Sequence, residues 1–479
     1  MAIIDFLSTI LWSHLLIYTL IPIGLYFTYK LRFAQFTNLG HMLTLIQEKV
    51  VSKDPNVKPV SAFGAFSISS ASRVGTGNLA GVAIAIFLGG AGAIFWMWMI
   101  ALIGAASSLI ENTLAQAYKV KSEDGTYRGG PAYYMAQGLG SKKMALVFSI
   151  LITISFGLVF NSVQANTIAS AFHGVFEINV MLVASVLGVA TAAVIFGGLK
   201  RIVQLTQVLF PVMAILYLVA TFFIIVMNVD QIVPMFGHIF ESAFGFEQAS
   251  SGAFGFMVMQ GIKRGLFSNE AGMGSTPNAG ATAEVSHPVK QGLIQTLGVF
   301  VDTLLISTAT AFVILLTQVG AGDSSLTGIQ LTQMALVSSF GDAGGVFLAI
   351  LVLLFSFSSI VGNYYYGESN IEYLTDSKLV LNGFRIAVVF MVVFGTLASL
   401  NIVWNLADVF MGFMALLNMI AIFMLRKVAF KLFEDYEAQR KAGKNPIFHK
   451  DAIGELKDVE CWDNDHNFLH LKAHSEMQK

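Results

Sequence analysis

Ser72-Arg73-Val74-Gly75-Thr76-Gly77-Asn78-Leu79-Ala80-Gly81 and Ser268-Asn269-Glu270-Ala271-Gly272-Met273-Gly274-Ser275-Thr276-Pro277-Asn278 are glycine-broken stretches, each inside an otherwise hydrophobic helix candidate. Backbone released from helical bonding at membrane depth survives only where protein or water satisfies it. Each stretch is therefore a candidate binding site. About five spans with their loops separate the two, so they fall at matching positions of two five-helix repeats. Such a pair is the best sequence pointer to the central site of a secondary transporter.

Composition places the chain in a membrane. Of 479 residues, 55% are hydrophobic and 12% charged, about half the globular norm of roughly 25% charged, and mean hydropathy is +0.70. A net charge of -1 gives no basic face for nucleic acid. The one cysteine, Cys461, supports neither a disulfide framework nor a cysteine metal site. The nine histidines show no metal-ligand spacing.

Apolar runs near the roughly 20 residues needed to cross a bilayer give eleven expected helices: 7–29, 62–89 (broken), 92–118, 144–172, 179–198, 202–227, 250–284 (broken), 291–317, 343–367, 385–398 and 402–425. The first is too long and starts too polar for a signal peptide, and is expected to be retained. Short cytoplasmic loops hold lysine and arginine in excess. Lys30, Arg32, Lys49, Lys53 and Lys58, then Lys119, Lys121, Arg128, Lys142 and Lys143, then Lys200 and Arg201, then Lys290, then Lys378 and Arg385 mark alternate loops. The amino terminus is thus expected outside and the tail after Arg426 inside. Residues 1–60 form an N-terminal helix and loop, 61–228 and 229–425 two five-helix halves of opposite topology, and 426–479 a charged cytoplasmic tail without a recognisable domain. An odd helix number per half forces this inversion on any eleven-helix chain; the matched breaks favour a true repeat.

The residues also carry a family likeness. Ser72 to Gly81, continuing through Val82-Ala83-Ile84-Ala85 to Gly89-Gly90-Ala91-Gly92-Ala93-Ile94-Phe95-Trp96-Met97-Trp98, resembles the first signature of the alanine or glycine:cation symporter family. Arg128 to Met135, Gly265 to Ser275 and Phe357 to Glu368 look like three more, in the family's order. The resemblance implies an all-α multi-pass membrane protein with the five-plus-five inverted-repeat (LeuT-like) fold. It implies uptake of small neutral amino acids (alanine, glycine, with glutamine a candidate) coupled to sodium or, less often, to protons. A monomer in the plasma membrane of a prokaryote, with sodium as coupling ion and no cofactor, completes that expectation.

A zwitterionic amino acid brings two charges into a low-dielectric site, where unpaired charge is costly. Free backbone N–H groups and half-helix N-termini suit the carboxylate; freed carbonyls suit the ammonium or a cation. Gly75, Thr76, Gly77 and Asn78 supply the first break, and Ser268, Asn269, Gly272, Met273 and Gly274 the second. The competing reading is that these glycines only allow close helix packing. Gln164, an amide in an apolar helix, faces either substrate or a neighbouring helix.

In the 343–367 span, Ser356, Ser358 and Ser359 offer hydroxyls to a hard cation, unless they bond back to their own helix. The resemblance implies sodium ligands at the carbonyls of Ala71 and Val74 and the oxygens of Phe355, Ser358 and Ser359. Where some members of the family have Trp after this serine motif, the chain has Asn363; it either widens the pocket toward glutamine or points away from it. Intramembrane ionisable residues are functional candidates: Arg73, Glu111, Lys263, Arg264, Glu270, Asp302, Glu368 and Asp408. Glu270 is expected either to pair with Arg73 or Arg264 or to take part in coupling, and Asp302 with Thr303 to offer a second cation contact. Pro131 to Met135 is expected to begin an amphipathic interfacial helix. No P-loop, repeated filter or nucleophile–base cluster appears, which argues against ATP coupling, a channel and an enzyme.

Overall fold

The structure is a computed structural model that describes residues 2–48, 60–122, 125–244, 252–319, 326–454, 456 and 458–462. Among these, eight helices are long and apolar enough to cross a membrane: Ile3–Lys30, Gly92–Ala117, Lys142–Phe176, Gly198–Met227, Pro288–Leu316, Asp342–Leu374, Lys378–Leu397 and Leu400–Met424. The pair Ala62–Arg73 and Gly77–Gly89, bent by 46° at its break, makes a ninth. Val180–Ile195 is apolar but has only 16 residues, about 24 Å at 1.5 Å per residue, short of a bilayer's roughly 30 Å. Gly252–Asn269 precedes the second break. Each expected span thus overlaps a helix, although the one expected at 385–398 begins earlier, at Lys378, and the one expected at 250–284 is helical only over Gly252–Asn269 and Pro277–Gly280. The charges expected to orient the first loop at Lys49, Lys53 and Lys58 lie outside the described residues.

Local signals set the ends. Ser61 accepts from the Gly64 N–H, Ser141 from Met144 and Asn179 from Met181, each side chain satisfying a donor that the first turn leaves free. His287 does the same for Val289, with Pro288 at the first helical position, where a missing N–H is harmless.

The helices sort into an inner bundle and a rim. In their most apolar stretches Gly92–Ala117, Pro288–Leu316 and Asp342–Leu374 are 67% buried, against 22% for Ile3–Lys30 and 28% for Lys378–Leu397, so the latter two are left to face lipid. The Gly252–Asn269 helix lies against Gly92–Ala117; a β-carbon at Gly261 would strike the Ala93 carbonyl. Small residues permit such approach where lipid gives no hydrophobic drive to pack.

Four features differ from the sequence reading. Helix barely resumes after the second break: only Pro277–Gly280 is helical before an irregular elbow leads to Pro288. The segment beginning Pro131 is not an interfacial helix; Pro131 through Met135 are buried, and the Tyr134 hydroxyl donates to Asn418 Oδ1. Tyrosines are favoured at an interface, but Gly130, at φ +124° against Asn278, lets this backbone sink into the bundle. The tail, expected as a short charged extension, begins with a packed helix: Arg426–Lys441 buries Val428, Ala429, Leu432, Phe433 and Tyr436. A two-stranded ribbon, Val120–Lys121 with Tyr127–Arg128, interrupts the all-helical pattern.

Candidate functional site

The first break is built from three residues that leave the helix, Val74 to Thr76, and five, Gly77–Gly81, that re-enter it. Helix Ala62–Arg73 stops at Val74, whose ψ of 88° is no longer helical, and a wide turn begins at Gly77. The freed donors are not left bare: the Gly75 N–H donates to Asn78 Oδ1 at 2.9 Å and the Thr76 N–H to Gln164 Oε1 at 3.0 Å. Gln164 therefore faces the bundle interior. A β-carbon at Gly75 would collide with Ser359 Oγ, so glycine is required there by contact.

The second break takes left-handed backbone, with φ of +57° at Glu270, +84° at Gly272 and +80° at Gly274. Successive N–H groups in such a turn form a nest for an anion. The anion here is the protein's own: Glu111 accepts from the Gly272 and Gly274 N–H groups, both at 3.0 Å, and from Asn418 Nδ2 at 2.8 Å. Asn418 Nδ2 also reaches the Gly272 carbonyl at 2.9 Å. Met273 between them is fully buried. Glu111 was identified from sequence only as an ionisable group at depth; its hold on the second break was not. Asn418, a buried amide in an apolar span, was open to the same argument as Gln164.

The two breaks meet at Asp302. Its carboxylate accepts from Asn78 Nδ2 of the first break, Ser268 Oγ of the second and Thr303 Oγ1, each at 2.8 Å. Asn78 Nδ2 also lies 3.0 Å from Ser307 Oγ, and Asn269 Nδ2 makes a longer contact, 3.3 Å, with Thr303 Oγ1. Gly77 packs on Phe267 and Ser268, leaving no free space for a side chain.

On the other side of the first break, Ser359 Oγ donates to the Ala71 carbonyl at 2.8 Å and lies 3.1 Å from the Phe355 carbonyl. Ser358 Oγ bonds back to Phe355 at 2.8 Å, the local bond that serines in membrane helices commonly make. Ser356 Oγ is 2.9 Å from Thr76 Oγ1. Ala71, Phe355, Ser358 and Ser359 thus bring oxygens together, with Val74 ending the same helix one turn on. One Ser359 hydroxyl proton faces two carbonyls, a donor set rich in oxygen and poor in hydrogen, which suits a hard cation.

Glu270 accepts from Ser72 Oγ at 2.8 Å and Ser275 Oγ at 2.6 Å, and Ser72 Oγ is 2.6 Å from Asn363 Oδ1. The expected ion pair of Glu270 with an arginine is not formed. Arg264 instead binds Asp408 at 2.5 Å, beside Lys263 at 2.9 Å, and Arg73 Nη1 donates to the Gln295 carbonyl at 3.0 Å. Arg264 also lies over Trp404, 4.6 Å from its centroid, and Trp404, Phe267 and Phe160 stack in sequence at 4.6 and 4.5 Å. Asn363 is fully buried, and its Nδ2 has no hydrogen-bond partner among the described residues.

A membrane bundle whose two interrupted helices face each other around buried polar groups belongs to the class of multi-pass membrane transporters. The chain is a member of the sodium:alanine symporter family, whose profile matches residues 1–450. It is 51% identical over 460 residues to the probable sodium/glutamine symporter GlnT of Bacillus subtilis, covering 96% of this chain and 95% of that one. Identity to the sodium/alanine symporter AgcS of Methanococcus maripaludis is 36% over 447 residues, covering 92% and 98%. Among solved structures the fold is similar to MhsT in complex with L-phenylalanine, with a TM-score of 0.54 at 15% identity, covering 88% of this chain and 99% of that one. That structural neighbour has the LeuT fold. The family is one of sodium-coupled amino-acid symporters, not of enzymes.

Proposed function

We propose that this protein imports small neutral amino acids by sodium-coupled alternating access. The observation that carries the reading is Asp302, where Asn78 of one break and Ser268 of the other converge on one buried carboxylate. A cation seated beside Asp302 and Thr303 would be sensed by both broken helices at once. Sodium is assigned to the carbonyls of Ala71, Val74 and Phe355 and the hydroxyls of Ser358 and Ser359. The substrate carboxylate takes over the Gly75 and Thr76 N–H groups as Asn78 and Gln164 turn aside, and the ammonium goes to Glu270 and its two serines. In this structure Glu111 occupies the Gly272 and Gly274 donors, so those glycines and Met273 shape the second break around the substrate.

The names of GlnT and AgcS support glutamine and alanine as the range to test, and Asn363 Nδ2, without a partner among the described residues, is a donor that glutamine, unlike alanine, can engage. The reading includes eleven spans, with the amino terminus outside and the tail cytoplasmic. It includes inverted halves at 61–228 and 229–425, and a monomer in a prokaryotic plasma membrane.

Uptake into proteoliposomes across a panel of amino acids, with sodium, lithium or a proton gradient imposed separately, tests it. Saturable alanine uptake driven by an inward sodium gradient is expected. Uptake driven equally by protons without sodium would move the coupling to the proton, and flux that never saturates would point to a channel.

A further inference from the structure

The sequence beyond the last span lies against the elbow that follows the second break. Ser286 is held twice: its carbonyl accepts from the Phe448 N–H, and its hydroxyl donates to the Pro446 carbonyl, both at 2.8 Å. His287 Nδ1 accepts from the Val289 N–H, which leaves the proton on Nε2, 3.1 Å from Asp435. Lys290 Nζ reaches Asn445 at 2.7 Å and Glu48 at 2.6 Å. Phe448 packs edge-on against both His287 and Trp462, at 5.3 and 5.5 Å. The Trp462 indole donates at 3.0 Å to the carbonyl of Gln116, whose own amide bonds the Ala283 carbonyl at 2.9 Å.

The other face of the same tail is fastened to residues 1–60. Phe430 packs on Tyr26 and Phe27, Tyr436 bonds His41 at 2.6 Å, and Arg440 donates to Asn38. These partners belong to the N-terminal segment outside both five-helix halves. The tail therefore ties the elbow after the second break to the N-terminal segment. Two of the elbow's contacts, His287 with Asp435 and Lys290 with Glu48, lie at a wet rim, the carboxylate side chains being 27% and 28% exposed, so water can replace them when they part, whereas Ser286 and Phe448 are buried. The tail's grip on the N-terminal segment combines the Phe430 ring contacts with the bonds of Tyr436 to His41 and Arg440 to Asn38.

We infer that the tail, through Asp435, Asn445, Pro446 and Phe448, is a latch that holds the Ala283–Lys290 elbow in its closed position and must let go for the transporter to open toward the tail side. The inference rests on the alternating-access reading. A disulfide between Ser286→Cys and Phe448→Cys, in a Cys461→Ser background, fixes the latch; the hydrogen-bonded backbones at these positions lie within disulfide range. Cross-linking verified by loss of free thiols is expected to reduce sodium-driven alanine uptake at least tenfold, with recovery on reduction. Unchanged uptake by the cross-linked protein makes the tail a static strut and overturns the latch.

Independently, a chain ending at Ala442 and the full-length Asp435→Ala, Asn445→Ala variant report opening through a Ser369→Cys probe, labelled from the tail side. Ser369 is buried, and its hydroxyl has no partner among the described residues. Labelling severalfold faster than in the otherwise native chain is expected in both. Labelling that responds to sodium and alanine but not to either tail change overturns the latch alone, whereas labelling that ignores sodium and alanine in the native chain overturns alternating access and the latch with it.

Discussion

Ser358 and Ser359 are neighbours in sequence but not in environment. The Ser359 hydroxyl crosses to Ala71 on the first broken helix, while Ser358 bonds within its own helix. Losing a neutral hydrogen-bonding oxygen costs about 1 kcal/mol. Ser359→Ala is therefore expected to raise the sodium concentration for half-maximal uptake severalfold, and Ser358→Ala to raise it less; equal sodium curves for Ser359→Ala and the native chain, at matched expression, would remove Ser359 from the cation site. Glu111 sets a second test. Its two oxygens accept from three N–H donors, and a glutamine amide would turn one acceptor into a donor facing a donor. Leaving a buried donor unmet costs roughly 1–3 kcal/mol, so Glu111→Gln is expected to lower thermal stability in detergent by several degrees. Uptake should fall with it, since the second break loses its anchor; a variant with native melting and native uptake would show that the nest does not depend on the charge.

At the scale of elements, each break is held from outside as well as by its own side chains. Gln164 from the Lys142–Phe176 helix caps the first, and Glu111 from Gly92–Ala117 the second. A helix break is thus a joint between elements, and its tolerance to substitution follows the neighbour's position. Gly75→Ala adds one carbon where Ser359 Oγ already sits, so it is expected to abolish sodium-dependent uptake. The double variant Gly75→Ala, Ser359→Gly should regain expression and folding without regaining sodium affinity. If Gly75→Ala alone transports normally, the first break and the serine helix are not in contact during transport.

Across the whole molecule, the tail layer introduces a pH dependence separate from transport. Burial holds His287 down to about 4 from its ordinary 6.5, helped by Lys290 and opposed by Asp435. The unfolded chain takes up a proton below 6.5 that the folded chain refuses until about 4. The stability tied to a neutral His287 is therefore complete above 6.5 and is lost as pH falls from there toward about 4. His41, held down to about 4 by burial and by Arg440 and Lys290, acts in the same direction. Melting temperature in detergent is expected to fall across this window, with a shallower slope in His287→Asn, which keeps a capping oxygen but cannot titrate. Identical slopes in the two proteins would exclude His287 as the source.

The spans, the two interruptions and the family were legible in the chain because each is a local property: hydropathy over a helix length, glycines within it, and motifs in order. Gln164 and Asp302 could be singled out as polar groups too costly to face lipid, yet nothing local says which atoms they meet. Asp302 finds Asn78 more than 200 positions away, Glu111 finds Gly272 and Gly274, and Phe448 finds Ser286. Such pairings leave no periodicity to read. The tail looked like a solvated charged extension because its helix has few apolar residues; those few lie on one face, and only the packed bundle supplies the surface they cover. Sequence alone thus determined that the chain spans a membrane and is broken twice, since the bilayer acts on each segment separately. Tertiary structure alone decided what satisfies the breaks, because a buried donor is met by whichever acceptor the folded helices bring within 3 Å of it.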